Sequence, residues 1–280
     1  MSALGALRQA GLYGRTAARV AQRGWRETGG DPELATERAV FVVGSPRSGT
    51  TFLAGAVGAQ PGFVDLGEVR PVKAAVARWI ELPEDEAAQE LRATLERVRR
   101  LGFVRGLRPV EQTPELSFVV RAAVRAYPRG AVLHIVRDGR DVVCSLLEQG
   151  WLRDERGGRD DAGLQYGGHA RPWVEPERNQ DFARASEAAR AAWAWRRYLT
   201  AARAAPEHTV EVRYEDLAAD PAAAAARIAE RLGSEPGALA EALAQVHARS
   251  IGRWQRDLTA EQVADVEHEA GALLRELGYS

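Results

Sequence analysis

Cysteine is almost missing from this 280-residue chain: Cys144 stands alone, so no internal disulfide forms and the fold does not depend on an oxidising compartment. Long hydrophobic runs are missing too. No apolar stretch reaches the ~20 residues that cross a bilayer, and the N-terminus lacks a continuous signal-type apolar core. Neither sign of charge dominates, since 38 Lys and Arg against 39 Asp and Glu leave a formal net charge of −1. A nucleic-acid coat or an acidic tail shows as a one-sided excess, so no nucleic-acid partner is expected and any anion site must be local. Repeats and low-complexity tracts are absent. A cytoplasmic place without a membrane span is the expectation.

What remains is an ordinary globular composition, 45% apolar and 28% charged residues, in a chain long enough to bury a sizeable core. The first 26 residues carry arginines and no acidic residue. A helix touching a membrane surface and a helix packed on the domain both fit that stretch. A helical extension over 1–38 and a single domain over 39–280 are expected.

Short β-branched runs at Ala39–Val43, Ala131–Val136 and Thr209–Arg213 alternate with segments of helical spacing. Thr113-Pro114 and Asp220-Pro221 read as N-caps before a first-turn proline. Thr259 with Gln262 reads as a capping box. Gly150, Gly233 and Gly278 follow helical segments as left-handed caps do. The alternation predicts an α/β fold, a three-layer P-loop-type domain whose central parallel sheet is flanked by helices. Ligands on such sheets sit at the carboxyl ends of the strands. One stretch departs from the pattern: 151–180 is rich in Gly, Asp and Arg yet holds Trp151, Tyr166, His169 and Trp173, as a lid or acceptor loop would.

The stretch VFVVGSPRSGTTFL (40–53) has the outline of a Walker A loop, but Thr50 stands where the lysine belongs. Gly44 and Gly49 permit the tight turn, Gly49, Thr50 and Thr51 offer amides at a helix start, and Arg47 and Ser48 add a forked cation and a hydroxyl. That lysine reaches the β and γ phosphates of a triphosphate. Its absence favours a shorter group, one 5′-phosphate carrying a single transferable group. A second strand end, VLHIVRDGRDVVCSLL (132–147), places Arg137 and Ser145 on the same sheet edge, which suits a separate phosphate. Asp138 reads as an N-cap with Asp141 as its N3 partner. Two grips without a lysine imply a nucleotide phosphorylated at two places.

With GSPRSGTT and RDGRDVVCS in this order, the chain resembles the sulfotransferases that use 3′-phosphoadenosine 5′-phosphosulfate (PAPS), from about Val40 to the C-terminus. The resemblance implies that Arg47, Ser48, Gly49, Thr50 and Thr51 cradle the 5′ end, that Arg137 and Ser145 grip the 3′-phosphate, and that no metal is needed. The product would be 3′-phosphoadenosine 5′-phosphate (PAP). TVEVRYEDL resembles the segment whose tyrosine lines the adenine pocket, which gives Tyr214 that role. ARSIGRWQRDL resembles the last phosphate-binding segment, with Arg249, Ser250 and Arg253 as candidates and Trp254 as packing.

Transfer to a hydroxyl needs a base for the incoming proton and cations for the departing phosphate. In VDLGEVRP, Glu68 lies in a loop near the strand ends, and the region looks most like that of tyrosylprotein sulfotransferases and bacterial relatives, where a glutamate acts as base. Glu68 and Arg47 are therefore the catalytic candidates. A solvated carboxylate, or one paired with Arg70, is the structural alternative for Glu68. His134 reads as a core imidazole, His169 as a reserve base, and Cys144 as core filling. In VEQTPEL, relatives often carry a lysine where this chain has Gln112. A small-molecule, lipid or carbohydrate acceptor is implied. A P-loop kinase and a non-catalytic PAP- or PAPS-binding protein are the competing readings.

Overall fold

The apolar run at β1 (Val40–Val43) becomes the middle strand of a sheet because every one of its side chains is buried. A computed structural model describes residues 3–24, 35, 37–160 and 163–279. Within these, β2 (Phe63–Gly67), β3 (Arg108–Glu111), β4 (Ala131–Val136) and β5 (Thr209–Arg213) complete a five-stranded sheet of order β2-β3-β1-β4-β5. All pairings are parallel. Parallel strands need helical crossovers, so both faces are covered and the strand sequences run apolar without alternation.

Successive residues of β1 enter different cores. Phe41 and Val43 pack with Val20 of α1 (Ala3–Gly24) and with Leu91 and Leu95 of α4 (Glu84–Leu101). Val40 and Val42 pack with Leu53 of α2 (Thr50–Gly58) and Ile228 of α10 (Pro221–Leu232). The period of two along the strand thus becomes two helical layers. A third cluster joins Val136 to α6 (Gly139–Gln149), α8 (Glu187–Ala202) and α13 (Ala260–Glu276).

The expected caps divide. Asp220 accepts from the Ala223 amide, Thr259 and Gln262 form the capping box, and Gly150 and Gly233 are left-handed C-caps. Gly278 lies one residue beyond its cap, Leu277. Thr113 does not cap: its hydroxyl turns to Glu111, and Pro114–Val119 is a 3-10 turn. Periodicity did not point to β2 or β3, each of which carries a proline or glycine and only four or five residues. Of the basic N-terminal stretch, residues 10–23 pack through Tyr13, Ala17 and Val20, while 25 and 26 lie outside the described residues. No helix among the described residues is long and apolar enough to cross a membrane.

Candidate functional site

Because β4 lies beside β1, the loops that follow the two strands share one rim of the sheet. The β1 loop turns through positive φ at Gly44, Arg47 and Gly49. Arg47 at φ 72° is held in a conformation that costs a non-glycine residue on the order of 1–3 kcal/mol, and such strain gathers at ligand clamps. At Gly49 a Cβ would lie 2.8 Å from the Tyr214 ring, so only glycine lets the loop rest on that aromatic. No side chain caps α2, which leaves its first amides to face the rim at the positive end of the helix dipole.

Most of the residues singled out in the sequence meet here. Arg47 Nε donates to Ser145 Oγ at 2.9 Å. Arg137 donates from Nη1 to the Arg47 carbonyl at 3.2 Å and from Nη2 to the Ser250 carbonyl at 2.5 Å. Its guanidinium stands 4.7 Å over the Tyr214 ring, and the Tyr214 hydroxyl lies 3.5 Å from Ser250 Oγ. Arg249 is exposed beside Ser250. Two polar atoms of this cluster, Ser48 Oγ and Arg137 Nε, are buried without a hydrogen-bond partner among the described residues. Buried donors rarely stay unpaired, and a phosphate oxygen satisfies such donors.

The support behind the cluster was only partly foreseen. Asp138 caps α6 and pairs with Arg140. Asp141 is not its N3 partner; it accepts from the Gly252 and Trp254 amides at 2.8 and 3.0 Å and so ties the Ser250 turn to α6. Arg253 is committed to Glu148 and Asp257 instead of the rim. Trp254 packs under Arg140, 4.0 Å from its guanidinium. Trp193 and Trp195 are both buried, and the Trp195 indole donates to the Arg137 carbonyl at 3.1 Å. Burial pushes the Cys144 thiol up to about 12, consistent with core filling.

On the other side of the β1 loop stands Glu68, just past β2. Arg19 reaches from α1 to the carbonyls of Leu66 and Glu68 at 2.8 and 2.5 Å, and the Val69 amide donates to Thr113 Oγ1 at 2.9 Å. The loop is therefore gripped at its backbone from two elements. The Glu68 carboxylate lies 3.7 Å from Lys73 Nζ, which lies 3.8 Å from Glu115. A cavity of about 360 Å³ opens beside Glu68, bounded by Pro46 of the β1 loop, Lys73, Glu115 and side chains of 151–173. Arg190 staples this irregular wall, donating to the Leu152 and Phe182 carbonyls at 2.9 Å and to Asp154 at 2.6 Å. Asp161 and Ala162 lie outside the described residues.

Lys73, Glu111 and Glu115 were not anticipated. One signal was available for Lys73, the only lysine in a chain whose other basic residues are arginines and histidines. Gln112 accepts from Thr51 Oγ1 at 3.3 Å, at the edge of the β1 loop. His134 is buried beside Glu211, 3.4 Å from Nδ1, and burial lowers its pKa, so it remains a neutral core imidazole. His169 is exposed and lies outside the cavity lining.

Glu111 is fully buried, and burial pushes it up to about 8 although the Thr113 amide and hydroxyl both donate to it. Above the ordinary carboxylate range and below that value, the folded protein holds a proton that the unfolded chain has released. Its contribution to stability is therefore complete at low pH and is lost as pH rises from about 4.5 to 8. Glu111→Gln removes this titration. Relative to the parent, it is expected to raise Tm at pH 8 more than at pH 5, by on the order of 5 °C. Equal effects at both values in thermal melts would refute the assignment.

Comparisons with known proteins fit this geometry. Residues 39–236 match the sequence model of the sulfotransferase family. In fold, the chain is similar to the sulfotransferase domain from the curacin biosynthetic pathway, at 15% identity and TM-score 0.51, covering 87% of this chain and 98% of that domain. It is also similar to the sulfotransferase STF9 from Mycobacterium avium (14% identity, TM-score 0.49, 86% of this chain and 77% of that one). A sulfotransferase from Alicyclobacillus acidocaldarius gives 22% identity and TM-score 0.44 over 85% and 96% of the two chains. No curated protein sequence matches. At 15% identity the likeness to the curacin-pathway domain speaks for the α/β fold alone.

Proposed function

This chain belongs to the sulfotransferase family, and we propose that it moves a sulfuryl group from PAPS to a hydroxyl of a small-molecule, lipid or carbohydrate acceptor. The observation that carries the donor assignment is the pairing of a lysine-free glycine loop with a second, arginine-centred cluster, with Ser48 Oγ of the one and Arg137 Nε of the other buried without a partner among the described residues. Both groups are donors, so the residues present fit an anionic ligand. When bound, PAPS supplies an activated sulfuryl group on a phosphate that leaves as PAP.

The protein's part is to hold, orient and deprotonate. Arg47, Ser48, Gly49, Thr50 and Thr51 cradle the 5′-phosphosulfate, with Arg47 placed to offset charge on the departing phosphate. Arg137, Ser145, Arg249 and Ser250 hold the 3′-phosphate, and Tyr214 borders the adenosine. Glu68 takes the proton of the acceptor hydroxyl, with Lys73 steadying its carboxylate across 3.7 Å. The 151–180 segment serves as the acceptor wall of a cytoplasmic bacterial enzyme whose domain begins near residue 39.

Calorimetric titration with PAP, beside ATP and magnesium, tests the donor. PAP is expected to bind and ATP with magnesium to bind at least ~10-fold more weakly, because no loop lysine meets a γ-phosphate. Preference for ATP with magnesium would instead favour a kinase. Gln112, uncharged where relatives carry lysine, is what favours a binding protein without turnover, and PAP binding without transfer is the result that reading requires.

A further inference from the structure

Away from the rim that holds Glu68 and Arg137, the turn that closes α4 carries an aromatic residue where the backbone favours glycine. The Phe103 amide donates to the Arg100 carbonyl at 3.3 Å and the Val104 amide to the Arg99 carbonyl at 3.0 Å, the bond pair of a Schellman cap, whose left-handed residue is usually glycine. Here that residue is Phe103, at φ 56°. The glycine stands one place earlier, at Gly102, where a Cβ would lie 2.9 Å from Val20 of α1. Phe103 is also 91% exposed, and Leu101 beside it 43%. A ring held on a strained backbone and open to water adds no packing to the fold, and such strain points to a use outside it.

The surroundings indicate that use. Over 93–105, ATLERVRRLGFVR, four arginines stand against one acid, Glu96, in a chain whose net charge is −1. Glu96 is turned to Arg99 at 2.6 Å. Arg97, Arg100 and Arg105 border one surface hollow, are exposed and form no ion pair among the described residues. Arg97 is steadied over the Tyr13 ring at 4.3 Å, which keeps its charge at the patch.

Two apolar side chains amid three uncommitted cations are too small a core for a stable protein interface, which buries ~800 Å² on each side. A second copy of the chain would set these cations against their own kind. An anionic bilayer requires less, because each cation near its surface is drawn by the negative potential while the ring and the leucine enter the headgroup layer. We infer that the 101–105 turn, with Arg97 and Arg100, docks the protein reversibly on an anionic lipid surface. The turn leads into the start of β3, at the end of the sheet opposite the Glu68 and Arg137 rim. Docking therefore leaves that rim clear, and the inference stands apart from the donor reading.

The test is sedimentation of the whole protein with vesicles of phosphatidylcholine alone or with about 30% phosphatidylglycerol, at ~0.1 M salt. Partition into the anionic vesicles is expected to exceed that into the neutral ones by ~20-fold. Arg100→Gln with Arg105→Gln should lower it by roughly 20-fold, and Phe103→Gly by about tenfold. Because glycine suits the left-handed position, Phe103→Gly should at the same time raise Tm, by about 2 °C. Equal partition into both vesicle types, or full binding by Phe103→Gly, overturns the inference. A fall in Tm of several degrees on Phe103→Gly overturns it too, since Phe103 would then serve the fold. A dimer in light scattering that Phe103→Gly dissolves assigns the patch to a second copy instead.

Discussion

Replacing Glu68 with glutamine is expected to lower kcat for sulfuryl transfer by ~10²–10⁴-fold, the span that a positioned general base contributes. The substitution keeps the shape of the side chain, and the backbone around it stays held by Arg19 and Thr113. Lys73 keeps Glu115 as a partner, so the change does not strand a cation. Loss should therefore fall on kcat, with the Kd for PAP within about threefold of the parent value. Single-turnover rates with labelled PAPS, beside calorimetry with PAP, separate the two. A variant that retains most of its kcat would show that Glu68 is the solvated or paired carboxylate of the structural alternative, and that another group takes the proton.

The second large effect is expected at Arg137. Its guanidinium joins the β1 loop to the Ser250 turn and lies over Tyr214, and its Nε is buried without a partner among the described residues. Arg137→Ala removes the forked cation proposed for the 3′-phosphate, an interaction on the order of 2–3 kcal/mol, which corresponds to a loss in PAP affinity of roughly 30- to 150-fold. Adenosine 5′-monophosphate lacks that phosphate and supplies the control. The parent should prefer PAP over it, and the variant should bind both almost alike. Arg137→Lys should recover only part of the preference, because an ammonium keeps the charge but not the fork. A variant that weakens both nucleotides equally, with an unchanged circular dichroism spectrum, would place Arg137 in support of the loop instead of on the 3′-phosphate.

The two predictions rest on residues of different legibility. Arg137 was readable because strand, turn and helix stand in sequence order, and a residue at a strand's carboxyl end in a parallel sheet has only one rim to occupy. Glu68 was readable only through resemblance, because β2 is a five-residue strand with an internal aspartate and a terminal glycine. Gly44, Arg47 and Gly49 lie within one short loop, so local chemistry alone announced the tight turn that the structure shows there. Asp141 was misread for the converse reason. Its spacing from Asp138 fits a cap, but the carboxylate binds amides more than a hundred residues away, and no local pattern encodes that.

The Glu68–Lys73–Glu115 arrangement, the grip of Arg19 on the Glu68 loop and the stapling of 151–173 by Arg190 share this origin. Each joins elements distant along the chain, and each depends on where helices settle against the sheet. The amino-acid order alone determined the parallel α/β frame, the rim that the strand-end loops share and the lysine-free glycine loop, since periodicity and turn chemistry act over a few residues. Tertiary structure alone decided which carboxylates and cations line the cavity beside Glu68 and how large that cavity is. Those properties arise from side chains meeting across the core, where position in space, not separation along the chain, sets the electrostatic and packing energies.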